Sequence, residues 1–293
     1  MNWFVLAICS ALLSAAAAIT QKKVLFRLNA LEFSFLVSVI ILIFSSFIPF
    51  SMNVTSITSS TLMIIVGKSI LGGAAFLFVM MSLEHNQIST ALPILGMTPA
   101  VTALAALLIL GEALGNWEWL GIVMMMAGTY VLEKHPGTKI FQPLKETLRS
   151  KNHYYMYGAL GLFAVSSVFD KLLVSGYQTD PLVVLFYQHI VYCAMFGSLL
   201  FIRKQSFQGA VQKGSTMLPF IVTVAFLTIA YRFTQLEATK LAPVALVLAV
   251  KRTSILYASF FGGKLFSEER LAQKLIGGAL IVGAGFIILR NVG

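Results

Sequence analysis

Charge is in short supply in this chain. Asp, Glu, Lys and Arg make up 11% of the residues against 58% hydrophobic ones, and the mean hydropathy is +0.87. That excludes an ordinary soluble domain, in which about a quarter of the residues are charged. Acids are the scarcest of all. The sequence has two aspartates, Asp170 and Asp180, which leaves little for metal chemistry on clustered carboxylates. Its two cysteines, Cys9 and Cys193, fall inside apolar runs and indicate neither a disulfide framework nor a metal cluster. There is no Gly-x-x-x-x-Gly-Lys-Ser/Thr loop, which argues against direct drive by ATP, and no His-Glu-x-x-His. No cofactor is expected. Ala15 to Ala18 has the look of a signal-cleavage region, but a basic leader is missing and Lys22 and Lys23 follow the apolar stretch, so a retained first helix is expected.

What the chain has is long apolar runs. Ten spans are read at 3–21, 31–49, 61–83, 88–110, 117–132, 154–175, 181–202, 217–236, 241–262 and 272–289. Barrel strands would alternate lipid-facing and lumen-facing residues, whereas these runs are continuously apolar, so helices are the remaining solution in a bilayer. Ten spans with the short loops between them use nearly all of the 293 residues, and any function must reside within the bundle. The longest polar connection, Glu133 to His153, divides the chain into 1–133, a connecting loop at 134–153, and 154–293. Within that loop Ile140, Phe141, Leu144 and Leu148 recur at helical spacing beside Lys145 and Arg149, as in an interfacial helix or a plain linker.

The loop charges of the two parts trade places. Lys22, Lys23 and Arg27 follow the first span, and the matching loop at 176–180 has no Lys or Arg. Conversely the loop after the second span has none, and its counterpart carries Arg203, Lys204 and Lys213. Five spans is an odd number, so a duplicated five-span unit must re-enter the membrane upside down. The expected fold is therefore an all-α membrane protein of ten transmembrane helices in two inverted five-helix repeats, the usual build of a secondary transporter. About fourteen Lys and Arg fall on one side against two, Lys240 and Arg290, on the other, which by itself puts both termini outside. The net charge of +10 reflects these topology signals and contact with anionic membrane lipids, and no nucleic acid partner is expected.

The halves also match in detail. Span 1 ends in Gln21-Lys22 and span 6 in Asp170-Lys171, while spans 3 and 8 leave through Glu84 and Glu237. Glu112 precedes Gly121 and Gly128 at the spacing by which Glu269 precedes Gly278 and Gly285. With Pro99 ahead of Gly111-Glu112, and Lys251-Arg252-Thr253-Ser254 opening a segment that runs from Gly262 to Glu268, the whole chain resembles the EamA-like branch of the drug/metabolite transporter superfamily. The resemblance implies a basket of two inverted five-helix halves around a central cavity, export of amino acids, metabolites or toxic compounds, and cytoplasmic termini.

Intramembrane charges are the candidate site. Lys251 and Arg252 sit at the midpoint of span 9, where each costs roughly 2.5–3.5 kcal/mol. Either they pair with carboxylates or helix C-terminal carbonyls, or they face a wet cavity and attract an anionic group of the cargo. The second is expected. Lys68 in span 3 and Arg232 in span 8 either line the pathway or snorkel. Asp170 either pairs locally with Lys171 or carries a coupling proton; His189 and Glu84 are the other coupling candidates. In span 7, Gln188 and Tyr192 are four apart and share a face, offering hydrogen bonds to cargo or to a neighbouring helix. Tyr187, Tyr192, Tyr231 and Tyr257 supply aromatic contacts.

Cations outnumber acids in these spans. This favours cargo bearing a carboxylate or phosphate, and the expected function is a secondary transporter, by alternating access, of amino acids, organic anions or similar small metabolites, in the plasma membrane, as a monomer or homodimer; that it is an exporter is what the resemblance implies. The alternatives are a flippase for a lipid-linked substrate and an intramembrane lipid-modifying enzyme, the latter disfavoured because no nucleophile and base converge in the sequence.

Overall fold

The computed structural model describes residues 2–51, 57–85, 92–133 and 151–254, together with 257, 258, 276, 277, 280, 281, 283–285 and 287. Among these residues every regular element is helical: α1 (Trp3–Val24), α2 (Ala30–Ser45), α3 (Ser59–His85), α4 (Thr98–Leu110), α5 (Asn116–Glu133), α6 (Lys151–Lys171), α7 (Pro181–Ile202), α8 (Leu218–Leu241) and α9 (Val244–Lys251). Short helices at Ile48–Ser51 and Phe207–Thr216 lie between them. α1, α3, α7, α8 and the stretch Tyr154–Gly176 are long and apolar enough to cross a bilayer, while Ala30–Ser45 and Leu95–Leu110 are shorter apolar helices. Large apolar side chains on the outside, such as Leu108, Met63, Phe201 and Phe226, suit a lipid environment. The interfacial helix expected around Ile140 to Leu148, Glu268, Glu269 and most of the span at 272–289 lie outside the described residues.

Local chemistry sets the ends. Asn29 and Glu32 form a reciprocal capping box at the start of α2, and Asp180 caps α7 ahead of Pro181 at its first turn. Gly111 closes α4 in the left-handed conformation, φ +68°. Two differences from the expected spans matter below. α9 starts at Val244 because Pro243 cannot continue a helix, and it tightens at Arg252, whose amide bonds both Leu248 O and Ala249 O at 2.9 and 3.1 Å. α6 does not run on as a plain helix either: it passes into a π-helical turn, Leu172–Gly176, directly after Asp170 and Lys171.

α1 lies along α8, α3 along α6, α2 packs on α7, and α4 meets α9. An aromatic run of Phe33, Phe76, Phe196 and Tyr192 fills the core between α2, α3 and α7. Trp3 and Leu6 at the start of α1 join Ala242 and Ala245 around the α8–α9 turn, which defines the N-terminal face of the bundle. On the opposite face Lys22 donates to Leu83 O, Glu84 Oε2 accepts from Ala30 N at 3.0 Å, and Lys213 pairs with Glu32 at 2.8 Å. The basic loops at 22–27 and 203–213 thus share that opposite face.

Candidate functional site

Asp170, buried near the end of α6, receives hydrogen bonds from two cations of other helices: Lys68 Nζ of α3 at 2.7 Å and Arg232 Nη2 of α8 at 2.8 Å. Gln188 of α7 completes the cluster, its Oε1 accepting from Lys68 at 2.6 Å and from Arg232 at 3.3 Å. Ser166 Oγ bonds Lys68 O at 3.0 Å and ties α6 to α3 one turn away. Burying an ammonium and a guanidinium is tolerable here because one carboxylate and one amide oxygen satisfy both. The local Asp170–Lys171 pair is replaced by this arrangement. Consecutive helical side chains diverge by about 100°, so Asp170 points inward while Lys171 reaches the end of α8, donating to Thr239 O and Ala242 O at 2.7 and 2.9 Å.

Beside this cluster lies a cavity of about 140 Å³. Lys251, Arg252, Arg232, Gln235, Gln21 and Tyr192 are on its walls. Lys251 Nζ donates to Gln235 Oε1 and stands 4.5 Å from the centre of the Tyr231 ring. Arg252 Nη2 donates to Thr98 Oγ1 at 2.9 Å, and its Nε is buried without a hydrogen-bond partner among the described residues. Neither has a carboxylate within ion-pair distance among the described residues. Around the cavity and its floor, four cations, Lys68, Arg232, Lys251 and Arg252, therefore face one carboxylate, Asp170.

The other sequence candidates fall at different distances from this centre. His189 and Gln188 also border the cavity, and His189 Nδ1 donates to Leu185 O at 2.8 Å while its ring stands edge-on to Tyr192. Tyr192 lies against Gly72 and Gly73 of α3, where a Cβ on Gly72 would meet its hydroxyl at 2.8 Å. Lys68 sits behind the wall, bonded to Asp170. Tyr187 packs with Ile65 and Leu185 away from the cavity, and Tyr257 packs on the aromatic core. Glu84 caps α2 on the opposite face. Glu112 accepts from Val244 N of α9 at 3.1 Å, and Glu118 takes Gly115 N. Sequence reasoning passed over Gln235, Thr98 and Gln21 as site residues. Two of these are amides inside apolar spans, the same signal that singled out Gln188.

This geometry places an electropositive hollow between helices of both halves. Residues 1–133 match the EamA-like transporter family. The resemblance read from the sequence thus holds over the first half, and an EamA-like unit implies an integral, multi-pass membrane transporter of the drug/metabolite type. No curated protein matches the chain. A solved crystal structure superposes on 99% of this chain and 97% of its own, with a TM-score of 0.72 at 14% identity, which shows a shared fold across both halves. Among the described residues no group of three His, Cys, Asp or Glu stands together to hold a metal ion.

Proposed function

We propose that the chain is a secondary transporter that exports a small metabolite bearing a carboxylate or phosphate, such as an amino acid or organic acid, across the plasma membrane by alternating access. The observation that carries this is the Lys251 and Arg252 pair, both on the cavity wall and both held by neutral partners. A charge kept at the membrane midplane without a counter-ion is costly, and an incoming carboxylate or phosphate removes that cost. The tightening of α9 at Arg252 resembles the interrupted helices that transporters place at midplane sites.

The carrier is built as ten helices in two inverted repeats, 1–133 and 154–293, joined by 134–153. The packing supports this: exchanging each helix of one half for its mate turns the α1–α8 contact into α6–α3 and leaves α2–α7 and α4–α9 unchanged. Lys22 on Leu83 O and Lys171 on Thr239 O are likewise mates, each ending its own half's third helix. The cavity walls start at Ser14 on α1, Gly72 on α3 and Leu248 on α9, and extend toward the face that holds the basic loops. By the positive-inside rule that face is cytoplasmic, so the hollow loads cargo from inside.

Flux from proteoliposomes tests the proposal. A panel of anionic solutes should include one that moves with wild type and at least about tenfold more slowly with Lys251→Ala/Arg252→Ala, as expected from losing about 1.4 kcal/mol or more of binding. Equal leakage of both proteins for every anion would reject it.

A further inference from the structure

On the N-terminal face, below the cavity floor, Glu112 joins four helices. Its Oε2 accepts from Val244 N of α9 at 3.1 Å, and its Oε1 is 3.9 Å from Lys171 Nζ of α6. Lys171 in turn holds the last carbonyls of α8, Thr239 O and Ala242 O, and Ser175 Oγ adds a contact to Thr239 O at 3.5 Å. Glu112 comes from the first half, and every partner in this cluster comes from the second. The α8–α9 turn at 241–243 is therefore hydrogen-bonded to the end of α4 through the Glu112 carboxylate, alongside the apolar packing of α4 on α9.

The cavity stops short of this cluster. None of its walls reaches the first turns of α1, α3, α7 or α9; they begin at Ser14, Gly72, Gln188 and Leu248. Between the hollow and the N-terminal face the described residues place the Asp170 floor, the packed clusters around Leu173, Val184 and Leu236 and around Val168 and Val244, and the Glu112 cluster beside the packed Trp3, Ala242 and Ala245. Unlike Asp170, which stays inside a buried and satisfied network, Glu112 and Lys171 are each partly exposed, with 19% and 16% of the side-chain surface accessible. Water can take over their hydrogen bonds as they part, so the cluster opens at lower cost than the floor.

We infer that Glu112 and Lys171 form the latch that keeps the N-terminal face shut, and that it must release for the α8–α9 turn to swing away and expose the cavity there. The inference rests on the alternating-access reading. Its consequence is positional: weakening the latch shifts the population toward the form open on the N-terminal face, with no change in the groups that line the cavity.

Ser14→Cys on the cavity wall, in a Cys9→Ser/Cys193→Ser background, reports the opening through its reaction with a membrane-impermeant maleimide. The reagent is applied to one face at a time in sealed vesicles of each orientation, without any solute. With the latch intact, labelling from the N-terminal face is slow and labelling from the opposite face is fast. Glu112→Gln keeps an acceptor for Val244 N and loses the charge; Lys171→Met keeps the length and loses the donor. Each should speed labelling from the N-terminal face about tenfold, the shift that about 1.4 kcal/mol produces, with Lys171→Arg close to wild type. Unchanged labelling in both Glu112→Gln and Lys171→Met, in protein that elutes as wild type in size exclusion, would overturn the latch. Because the assay needs no cargo, failed flux with altered labelling would count against the transport reading and leave the latch standing.

Discussion

Lys68 and Lys251 both carry an ammonium into the middle of the bundle, but their surroundings differ. Lys68 is fully buried and held by Asp170 and Gln188, in a cluster where Arg232 shares the same carboxylate. Lys251 is half-buried beside a hollow, with an amide oxygen and an aromatic face as its partners. The first arrangement is complete without cargo and fixes α3, α6, α7 and α8 together. The second leaves positive charge beside water-sized space, next to Arg252 in the same condition. Two lysines that look alike in the sequence thus divide into one held in a completed ionic network and one left with neutral partners beside the hollow.

The sharpest way to break this comparison is to remove Asp170. Asp170→Asn strands Lys68 and Arg232 in the core and should cost about 3–5 kcal/mol, read as a large drop in the thermal midpoint of purified protein; a drop no larger than that of a surface substitution would erase the distinction. Lys251→Ala/Arg252→Ala should do the reverse in the same assay. Losing charges without a carboxylate partner leaves stability within about 1 kcal/mol of wild type or raises it, even as anion flux falls.

Packing without charge gives a scale between these. A Cβ on Gly128 would stand 2.8 Å from the backbone oxygen of Gly277, whereas one on Gly67 meets nothing within 4 Å. Gly128→Ala should therefore cost about 1–3 kcal/mol, and Gly67→Ala should be neutral or stabilise by about 0.5–1 kcal/mol through helix propensity. Equal effects at the two sites would mean that α5 and the helical residues around Gly277 do not press together. A local effect is expected at Asp180, whose carboxylate accepts from Leu182 N at 2.8 Å. Asp180→Ala should cost about 1 kcal/mol and raise the rate of proteolytic nicking at 176–180 without touching flux.

How far the sequence reveals these regions depends on the range of the forces involved. Element ends governed by neighbouring residues were legible: 181–202 coincides with α7 because Asp180 and Pro181 mark its start, and Gly111 marks the end of α4. Ends governed by a later proline were less so. α8 runs on to Leu241, past the expected 236, because nothing interrupts it before the Ala242-Pro243 turn, and α9 begins correspondingly late. The presence of charged residues in the site was legible from their cost in a membrane, but their pairing was not. Lys68 meets Asp170 across 102 positions of sequence, and nothing local to Asp170 favours that partner over Lys171 beside it. Gln235 and Thr98 went unnoticed for the same reason, since each acquires its role only when α8 and α4 bring it to Lys251 and Arg252.

The distinction between a completed cluster and an open one is tested most directly by solute binding to purified protein. Thermal midpoints are measured with matched sets of small solutes, each carboxylate or phosphate beside its neutral amide or alcohol analogue. Only anionic members should raise the midpoint, and Lys251→Ala/Arg252→Ala should abolish the rise while a conservative change at the floor, Gln188→Glu, leaves a smaller one. Stabilisation by a neutral analogue equal to that of its anion, or an undiminished rise in Lys251→Ala/Arg252→Ala, would contradict an anion site at these two cations.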